Sequence, residues 1–533
     1  MKRVLDIIHS ALFGVARDQR GSIATFVAAA IIPLVAFTGL AVDTARGYLM
    51  KARLNYALDS AALAGGRVFS DATARDATIQ KFFTANFPNG YMGSTIDGPH
   101  ILADDAAKTI TLDASANMAT SLMRIVGVDT MTVGASSQVT LSSSNIEVSL
   151  VLDITGSMGG SKITDLKSAA TDLINIVVQD QQTPFYSKAA LIPFSMGVNV
   201  GSYADQIRGA IPPAASITNA TRTNPVQITT AAAHGFTDGQ KIYIRNVSGM
   251  TQLNNNIYVV ANATTNSFTL RNESNTSDIN GTSYYNYNSG GNAWCAQSGC
   301  QYFRFTNMSG GLSTFQVSTC TSERVGAEAY TDAAPSTAYV GLNYPASNNP
   351  CPSVQIVPLT ASKTTLNNEI NALVGNGSTA GQVGIAWGWY MLSPNFGYIW
   401  PNAENVPASY TASDTVKVVV FMTDGEFNTI YSSGVIAQDS GNNSGNSYNK
   451  INQNGDNGVD SFTQAQNICT AMKADKIEIY TIGFEVGSST NVVNFLSDCA
   501  TDASHAYLAA DGTELQTVFH TIAENISRLR LSR

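Results

Sequence analysis

The fold is decided by the stretch VSLVLDITGSMGG, residues 148–160. This stretch begins as an apolar run rich in strand-forming residues and ends in Asp153, the hydroxyl residues Thr155 and Ser157, and glycines. Such a pattern predicts a buried strand that stops at a sharp turn. The strand end then presents a carboxylate and two hydroxyl oxygens, a partial ligand set for a hard divalent cation such as Mg²⁺.

Two later segments could supply the remaining oxygen ligands. The run VKVVVFM at 416–422 is a second apolar strand that leads into Asp424, and the loop GNGST at 375–379 precedes a helix. The alternative is an ordinary strand-to-helix turn capped by Ser157, which explains any one segment more easily than all of them in this order. Each of the two later segments could supply one oxygen ligand.

These motifs resemble a von Willebrand factor A domain. The Asp-x-Thr-x-Ser motif at 153–157, the later Thr379 and the Thr-Asp-Gly at 423–425 match the metal-ion-dependent adhesion site of that family, with Thr155 where Ser is usual. The resemblance implies an α/β fold with a doubly wound parallel sheet and a site at the carboxyl ends of its strands. It also implies a bound cation, Mg²⁺ first and Mn²⁺ or Ca²⁺ as alternatives, with the ligands Asp153, Thr155, Ser157, Thr379 and Asp424.

The segments around the motifs alternate between helical and strand patterns, as such a fold requires. A stretch rich in Gly, Asn and Ser at 426–459 is predicted as a long loop beside the site. The predicted helices are 162–178, 366–374, 383–392, 461–472, a short one before Cys499, and 513–529. The predicted additional strands are 188–194, 476–482 and 506–508.

Length and composition place limits on the class of protein. The chain has 533 residues, of which 44% are hydrophobic and 13% are charged, so it can form the cores of more than one domain. Its net charge is −9, and its basic residues cluster only near the two ends of the chain. This charge distribution argues against nucleic-acid binding.

Residues 21–42 contain no charged side chain, although charged residues lie on both sides of them. At 1.5 Å per residue this segment crosses the roughly 30 Å hydrocarbon layer of a bilayer. A signal peptide has a shorter apolar region and a small-residue cleavage site, so we interpret 21–42 as a retained transmembrane helix in which Pro33 is tolerated. A buried helix of a soluble domain is the alternative.

The cysteines help to orient this anchor, because basic residues on both sides of the span leave charge counting nearly balanced. All six cysteines follow the span, and an even set suits an oxidising compartment. The N-terminus is therefore expected in the cytoplasm. A zinc site is the alternative, but the chain has no Cys-x-x-Cys and its histidines are scattered. The disulfide pairs suggested by proximity in sequence are Cys295–Cys300, Cys320–Cys351 and Cys469–Cys499.

The N-terminal region resembles the TadG-type proteins of tight-adherence (Flp) pilus systems. The matching features are the Gly-Ser entry to the span, the Ala-Val-Asp43 that closes it, and ALDSAALA at 57–64. A helix at 74–87 and strand patterns at 109–113 and 131–141 complete a small α+β, pilin-like module. The fifth residue after Gly21 is Phe26, where class III pilins carry an acidic residue, so we interpret the chain as an assembly factor of the inner membrane.

The A-type pattern is interrupted by an Asn-, Thr-, Ser- and Gly-rich region with strand-like runs at 226–229, 241–244, 256–260 and 267–270. Its phrase AHGFTDG at 233–239 resembles small β modules of phage tail proteins and of ubiquitin-activating enzymes. His234 is interpreted there as a turn residue. The predicted domains are the cytoplasmic N-terminus (1–20), transmembrane helix (21–42), extended helix with pilin-like module (43–144), A-type domain (145–212), inserted β domain with a loop-rich segment (213–310) and remainder of the A-type domain (311–533).

The predicted function is binding, because neither a His nor a reactive Cys accompanies the predicted ligands. We expect a membrane-anchored, metal-dependent adhesion or assembly component of a tight-adherence pilus, with its bulk in the periplasm or at the cell surface. Its partner would offer an Asp or Glu carboxylate and belong to the pilus or secretion machinery. One alternative is a metal-assisted hydrolase or phosphatase with Glu426 as the candidate base. Another is a structural surface protein with a vestigial site, given Thr155.

Overall fold

A computed structural model describes residues 22–69, 71–104, 109–140, 144–183, 185–306, 311–437, 454–487 and 489–529. The predicted N-terminal segment 1–20 and residues 438–453 of the predicted loop lie outside the described residues. The chain divides into two compact units, 1–142 and 143–533.

The described part of the first unit contains two helices and an antiparallel sheet of three strands that neighbour one another in chain order. Its elements are α1 (Ser22–Gly66), α2 (Ala72–Asn86), β1 (Thr95–Asp104), β2 (Thr109–Ala119) and β3 (Thr130–Thr140), with short 3₁₀ turns at Tyr91–Gly93 and Met123–Val126. The predicted transmembrane helix and the helix after it form one continuous element, α1, which contains Pro33. Strand β1 was not predicted from the sequence.

The core of the first unit lies where α1 and α2 pack on one face of the sheet. Met50, Leu54 and Leu58 of α1 are fully buried there, together with Ile110 and Leu112 of β2. By contrast, the N-terminal part of α1 has exposed apolar side chains, and the helix from Phe26 onward is long and apolar enough to cross a membrane. This part of α1 is therefore a candidate membrane anchor.

The second unit is built around a large mixed sheet, in which the described residues form nine strands. The strands of this sheet are β4 (Asn145–Asp153), β5 (Ser187–Phe194), β6 (Val198–Asn199), β15 (Cys320–Ser322), β16 (Gly341–Leu342), β17 (Val357–Thr360), β18 (Thr415–Thr423), β21 (Glu478–Phe484) and β22 (Ala506–Ala509). The helices are α3 (Ser161–Val177), α4 (Ala204–Arg208), α5 (Lys363–Ala372), α6 (Gly381–Tyr390), α7 (Ser461–Ala474), α8 (Thr490–Cys499) and α9 (Gly512–Leu529). Short 3₁₀ turns lie at Gly156–Met158, Gly201–Tyr203, Thr251–Leu253, Gly326–Glu328, Pro394–Ile399, Ala403–Asn405 and Ala503–His505.

The centre of the sheet is parallel, with the strand order β5-β4-β18-β21-β22. Helices α3, α5 and α9 pack on one face, and α6, α7 and α8 pack on the other. Neighbouring side chains of β18 enter opposite cores, Val420 with the first set of helices and Phe421 with the second. Both faces of the central strands are therefore buried, which explains their unbroken apolar sequences.

One edge of the sheet is antiparallel, which the predicted all-parallel sheet did not include. Strand β6 follows β5 after the short return at 195–197, and such a return leaves no room for a crossover, so β6 must run antiparallel. Gly197 is required in this return, since a Cβ there would lie 2.7 Å from the Thr321 carbonyl oxygen. Strands β15, β16 and β17 extend this edge with antiparallel pairs.

Between α4 and β15 the chain leaves the sheet and forms a separate six-stranded closed barrel with the order β10-β11-β8-β7-β12-β9. These strands are β7 (Ala215–Ala220), β8 (Gln227–Thr230), β9 (Lys241–Ser248), β10 (Asn256–Ala261), β11 (Ser267–Arg271) and β12 (Ser289–Cys295). The described residues also form two hairpins outside the barrel. One pairs β13 (Tyr302–Thr306) with β14 (Leu312–Gln316), and the other pairs β19 (Tyr431–Ser432) with β20 (Val435–Ile436). The domain boundary predicted at 310 falls inside the first hairpin, because β13 and β14 pair across it.

Candidate metal centre

The tips of two neighbouring parallel strands bring the predicted carboxylates to one edge of the sheet. In the register of β4 and β18, Leu152 pairs with Met422, so the residues that follow both strands lie side by side. Asp153 is completely buried. Its Oδ1 accepts a hydrogen bond from the Thr155 N–H at 2.9 Å, and its Oδ2 accepts one from the Thr423 hydroxyl at 2.7 Å.

The two hydroxyls of the motif connect one carboxylate to the other. Thr155 Oγ1 and Ser157 Oγ are 3.0 Å apart, and the Ser157 hydroxyl donates to Asp424 Oδ1 at 2.7 Å. The Asp424 side chain has no exposed surface. The structure thus brings Asp153, Thr155, Ser157 and Asp424 together in one cluster of oxygen atoms, in which Ser157 is exposed and the other three residues are buried.

Thr379 reaches the same edge through backbone contacts of its loop. The Asn376 N–H donates to the Ile154 carbonyl at 2.8 Å, and the Gly156 N–H donates to the Gly377 carbonyl at 2.8 Å. The N–H of Thr379 donates to Asn428 Oδ1 at 2.9 Å. Within the described residues the Thr379 hydroxyl makes no hydrogen bond to either carboxylate, so it is the least closely connected of the predicted ligands.

Glycine allows this loop to approach the strand tip. A Cβ on Gly375 would lie 2.9 Å from the Gly159 nitrogen and 3.0 Å from the Met158 carbonyl carbon, and both of these are backbone atoms that cannot move aside. Gly375 thus permits a close contact between two backbones.

The electrostatics of the cluster favour a bound positive charge. Burial, reinforced by the negative charge of Asp424, raises the pKa of Asp153 to about 7. Two carboxylates in one buried cluster repel each other when both are ionised, and a divalent cation removes that repulsion.

Lys162, which sequence reasoning missed, supplies part of that charge. Its Nζ donates to Asp424 Oδ2 at 3.0 Å and lies 3.4 Å from Glu485 Oε2. Burial acts to lower the pKa of the Lys162 ammonium, but the hydrogen bond and charge of Asp424, together with Glu485, outweigh burial and raise that pKa. The signal in the sequence was a lysine at the second residue of α3, the helix that begins directly after Gly160.

The residues present fit a hard cation of the Mg²⁺ type. Such ions prefer carboxylate and hydroxyl oxygens, keep some water ligands, and need little from nitrogen or sulfur. Asp153, Thr155, Ser157 and Asp424 provide these oxygens, and Thr379 lies on the loop beside them. A cation binding here would compete with Lys162 for Asp424.

Glu426, the candidate base of the hydrolase alternative, is engaged elsewhere. The Ser489 hydroxyl, just before α8, donates to Glu426 Oε1 at 2.7 Å. In the part of the chain that the structure describes, no group of three or more His, Cys, Asp or Glu side chains could hold a metal ion. The candidate site therefore depends on two carboxylates and on hydroxyls.

All three suggested disulfides are present, Cys295–Cys300, Cys320–Cys351 and Cys469–Cys499. No free cysteine remains, which removes the zinc alternative for these residues. His234 accepts a hydrogen bond from the Phe236 N–H on its Nδ1 at 2.9 Å. This contact within a turn agrees with the interpretation of His234 as a turn residue.

The described residues combine a helix that could span a membrane with an α/β domain that carries carboxylate and hydroxyl oxygens at its strand tips. Residues 21–73 match the family described as Flp pilus-assembly TadE/G-like, which confirms the resemblance to TadG-type proteins over the N-terminal helix. Residues 222–295 match the FCCH domain of ubiquitin-activating enzyme E1, which confirms that resemblance for the barrel. Among curated proteins, none matches this chain.

Several solved structures show a distant likeness. The pilus adhesin SpaC from Lactobacillus rhamnosus GG is 10% identical with a TM-score of 0.31, over 81% of this chain and 34% of its own length. The vWF domain of the type V pili tip protein Mfa5 from Porphyromonas gingivalis is 10% identical with a TM-score of 0.32, over 73% of this chain and 97% of its own. The PilB minor pilin from Streptococcus sanguinis is 11% identical with a TM-score of 0.31, over 82% and 80% respectively.

Proposed function

We propose that the second unit, apart from its barrel, is a von Willebrand factor A-type domain whose strand tips form a metal-ion-dependent adhesion site. The observation that carries this proposal is the position of Asp153 and Asp424 at the ends of adjacent parallel strands, linked through the Thr155 and Ser157 hydroxyls. In a doubly wound sheet, ligands bind at this edge. The buried, mutually repelling carboxylates supply the reason for a cation to bind.

The chemistry of this site suits capture of a partner's carboxylate. A bound Mg²⁺, with Mn²⁺ or Ca²⁺ as alternatives, would offer a coordination position to an Asp or Glu side chain. The residues of the chain hold the ion and exclude water from Asp153, which is fully buried. Such binding requires no general base, in keeping with the engagement of Glu426 by Ser489.

The biological role that fits both ends of the chain is adhesion or assembly in a tight-adherence pilus system. The match of residues 21–73 to the TadE/G-like pilus-assembly family supports this context. We infer that the partner is a pilus or secretion-machinery protein, and that the chain acts by binding and not by catalysis. A metal-assisted hydrolase is the second candidate, but no described contact of Glu426 favours it.

The proposed location is the inner membrane, with the N-terminus in the cytoplasm and most of the chain in the periplasm or at the cell surface. The apolar part of α1 supports the anchor, and the three disulfides support an oxidising compartment for the second unit. Protease added to intact spheroplasts should digest the region after Asp43. Full protection of that region would overturn the proposed topology.

Binding to isolated pili tests the function directly. We expect the full chain in lipid nanodiscs to bind purified tight-adherence pili in Mg²⁺, to lose binding in chelator, and to regain it when Mg²⁺ is restored. Asp424→Asn should abolish binding, because it removes a charged ligand. Asp180→Asn is the control, since the Asp180 side chain is 93% exposed and forms an ion pair with Lys363 at the surface. Equal binding in chelator and in Mg²⁺ would refute the proposal.

A further inference from the structure

An exposed apolar turn lies beside the outer end of the candidate membrane helix. This turn, residues 122–128, connects β2 to β3 and contains the 3₁₀ helix Met123–Val126. Its apolar side chains face solvent, because Ile125 is 62% exposed, Val126 is 49% exposed and Val128 is 39% exposed. Three exposed apolar side chains in one short turn need an explanation, because the apolar residues Ile110, Leu112 and Met118 of the preceding strand β2 are buried.

The position of the turn along α1 is fixed by the carboxylate of Asp43. Asp43 accepts hydrogen bonds from the N–H groups of Ser121, Leu122 and Met123, at distances between 2.9 and 3.1 Å. Arg46 donates to the Ser121 hydroxyl and pairs with Asp43. These contacts hold the start of the turn against the residue that closes the apolar span.

A second contact places the turn slightly inside that span. Leu122 packs on Gly39, where an added Cβ would lie only 2.7 Å from the Leu122 Cβ. Since each helical residue rises 1.5 Å, Gly39 lies about 5 Å before Val42, the last residue of the apolar span. The turn is thus level with the boundary between acyl chains and headgroups of a bilayer that α1 would span.

We propose that residues 122–128 form an interfacial hook that inserts into the outer leaflet of the membrane beside α1. The proposal rests on the membrane anchor inferred above and adds a second contact with lipid. Ile125, Val126 and Val128 would enter the acyl boundary. Arg124 is exposed and has no ion pair among the described residues, so its guanidinium can reach lipid phosphates while its stem covers apolar surface.

Continuity with the helix favours lipid over a protein partner. The apolar side chains of α1 from Phe26 to Val42 are exposed, and this surface ends at the level where the turn begins. A bilayer that covers the apolar surface of α1 therefore also reaches the turn at residues 122–128. With Asp43 fixed by backbone N–H groups, the hook and the helix set the depth and tilt of the first unit together.

Site-specific labelling tests this inference in the full chain. All six native cysteines are disulfide-bonded, so Ile125→Cys provides a single thiol for an environment-sensitive NBD dye. The matched control is Leu102→Cys, because Leu102 is 69% exposed. Leu102 pairs with Thr111 near the start of β2, whereas Ala119 at the other end of β2 accepts a hydrogen bond from Arg46 beside the turn. Both changes remove an exposed side chain, and neither removes part of the core. Val128→Cys gives an independent second site on the turn.

In nanodiscs of phosphatidylethanolamine and phosphatidylglycerol, we expect NBD at 125 and 128 to emit at shorter wavelength than NBD at 102. Lipids with a doxyl group near the headgroup should quench most of the emission at 125 and 128 and little at 102. Emission at 125 that matches the control in both measurements would overturn the hook even where α1 is embedded. A shift that appears only with two chains per nanodisc and resists doxyl quenching would assign the surface to a second copy and would also overturn it.

Discussion

The charges of Asp153, Asp424 and Lys162 do not cancel within the cluster at the strand tips. Lys162 neutralises Asp424 in part, but Glu485 shares the same ammonium, and Asp153 depends on hydrogen bonds from Thr155 and Thr423. Under the proposed function, a divalent cation at these strand tips would compete with Lys162 for Asp424.

Replacing Lys162 should strengthen cation binding. In Lys162→Met we expect Mg²⁺ affinity to rise about tenfold, because a nearby positive charge that competes for Asp424 is removed. The variant without metal should melt at a lower temperature, and Mg²⁺ should restore the loss. Isothermal titration and thermal melting measure these two effects. Lys363→Met is the control, because Lys363 forms a surface pair with Asp180 and should change neither value. Unchanged or weaker Mg²⁺ binding in Lys162→Met would contradict the competition.

A second buried carboxylate makes stability depend on pH. Burial raises the pKa of Glu323 from 4.5 to about 7, although Gln382 donates to it at 2.7 Å. Between these values the folded protein holds a proton that the unfolded chain releases, so stability should fall as pH rises from about 5 to 7. Glu323→Gln should flatten this dependence by up to about 3 kcal/mol, measured by denaturant unfolding in chelator. Glu404→Gln at an exposed position is the control, and an equal slope in parent and Glu323→Gln would refute this assignment.

Residue types with an unusual local sequence were predictable, and residues that act only through tertiary contacts were not. Asp153 and Asp424 follow apolar strands directly, so their chemistry and their shared edge could be read from the sequence. Thr423 and Asn428 hold Asp153 and the Thr379 loop through contacts that cross between elements. Ordinary polar residues of this kind carry no local signal of the contact they will make.

At the scale of elements, the docking of the 375–379 loop on the strand tip depends on the absence of a side chain. Gly375→Ala should place a methyl group against the backbone of Met158 and Gly159. We expect a loss of about 1–3 kcal/mol in unfolding free energy and weaker Mg²⁺ binding, as the loop moves away. Denaturant unfolding and titration measure both quantities. Gly425→Ala is the control at the same edge, because a Cβ there meets nothing within 4 Å. Equal effects of the two changes would contradict the docking argument.

Elements with strong periodicity or apolar runs were predicted well, and those with weak sequences were missed. Strand β10 is an apolar run and β11 alternates polar and apolar residues, whereas β12 contains two adjacent glycines and β7 is a short run of mostly small and polar residues. These two strands form because the barrel closes around them, which is a tertiary effect. The antiparallel edge of the main sheet was missed for a similar reason, since β6 and β16 have only two residues each.

The whole molecule combines a unit that includes a candidate membrane anchor with a unit that has a candidate metal centre. The first unit exposes an apolar helix surface that a bilayer would cover, and in the second a cation would relieve the repulsion that we infer between Asp153 and Asp424. The barrel, 215–295, enters the sheet domain between α4 and β15 and leaves the strand tips of β4 and β18 intact. The central claim is that these strand tips hold a divalent cation in the full chain.

Calorimetric titration of Mg²⁺ into the full chain in nanodiscs tests that claim most directly. We expect the parent and Asp180→Asn to bind the ion equally. Thr379→Ala should bind it more weakly, and Asp153→Asn and Asp424→Asn should show no binding, because a carboxylate contributes more to cation binding than a neutral hydroxyl does. Without metal, Asp153→Asn should be as stable as the parent or more so, since it removes one of two repelling charges. If Asp153→Asn bound Mg²⁺ as tightly as the parent, the strand tips would not be a metal site.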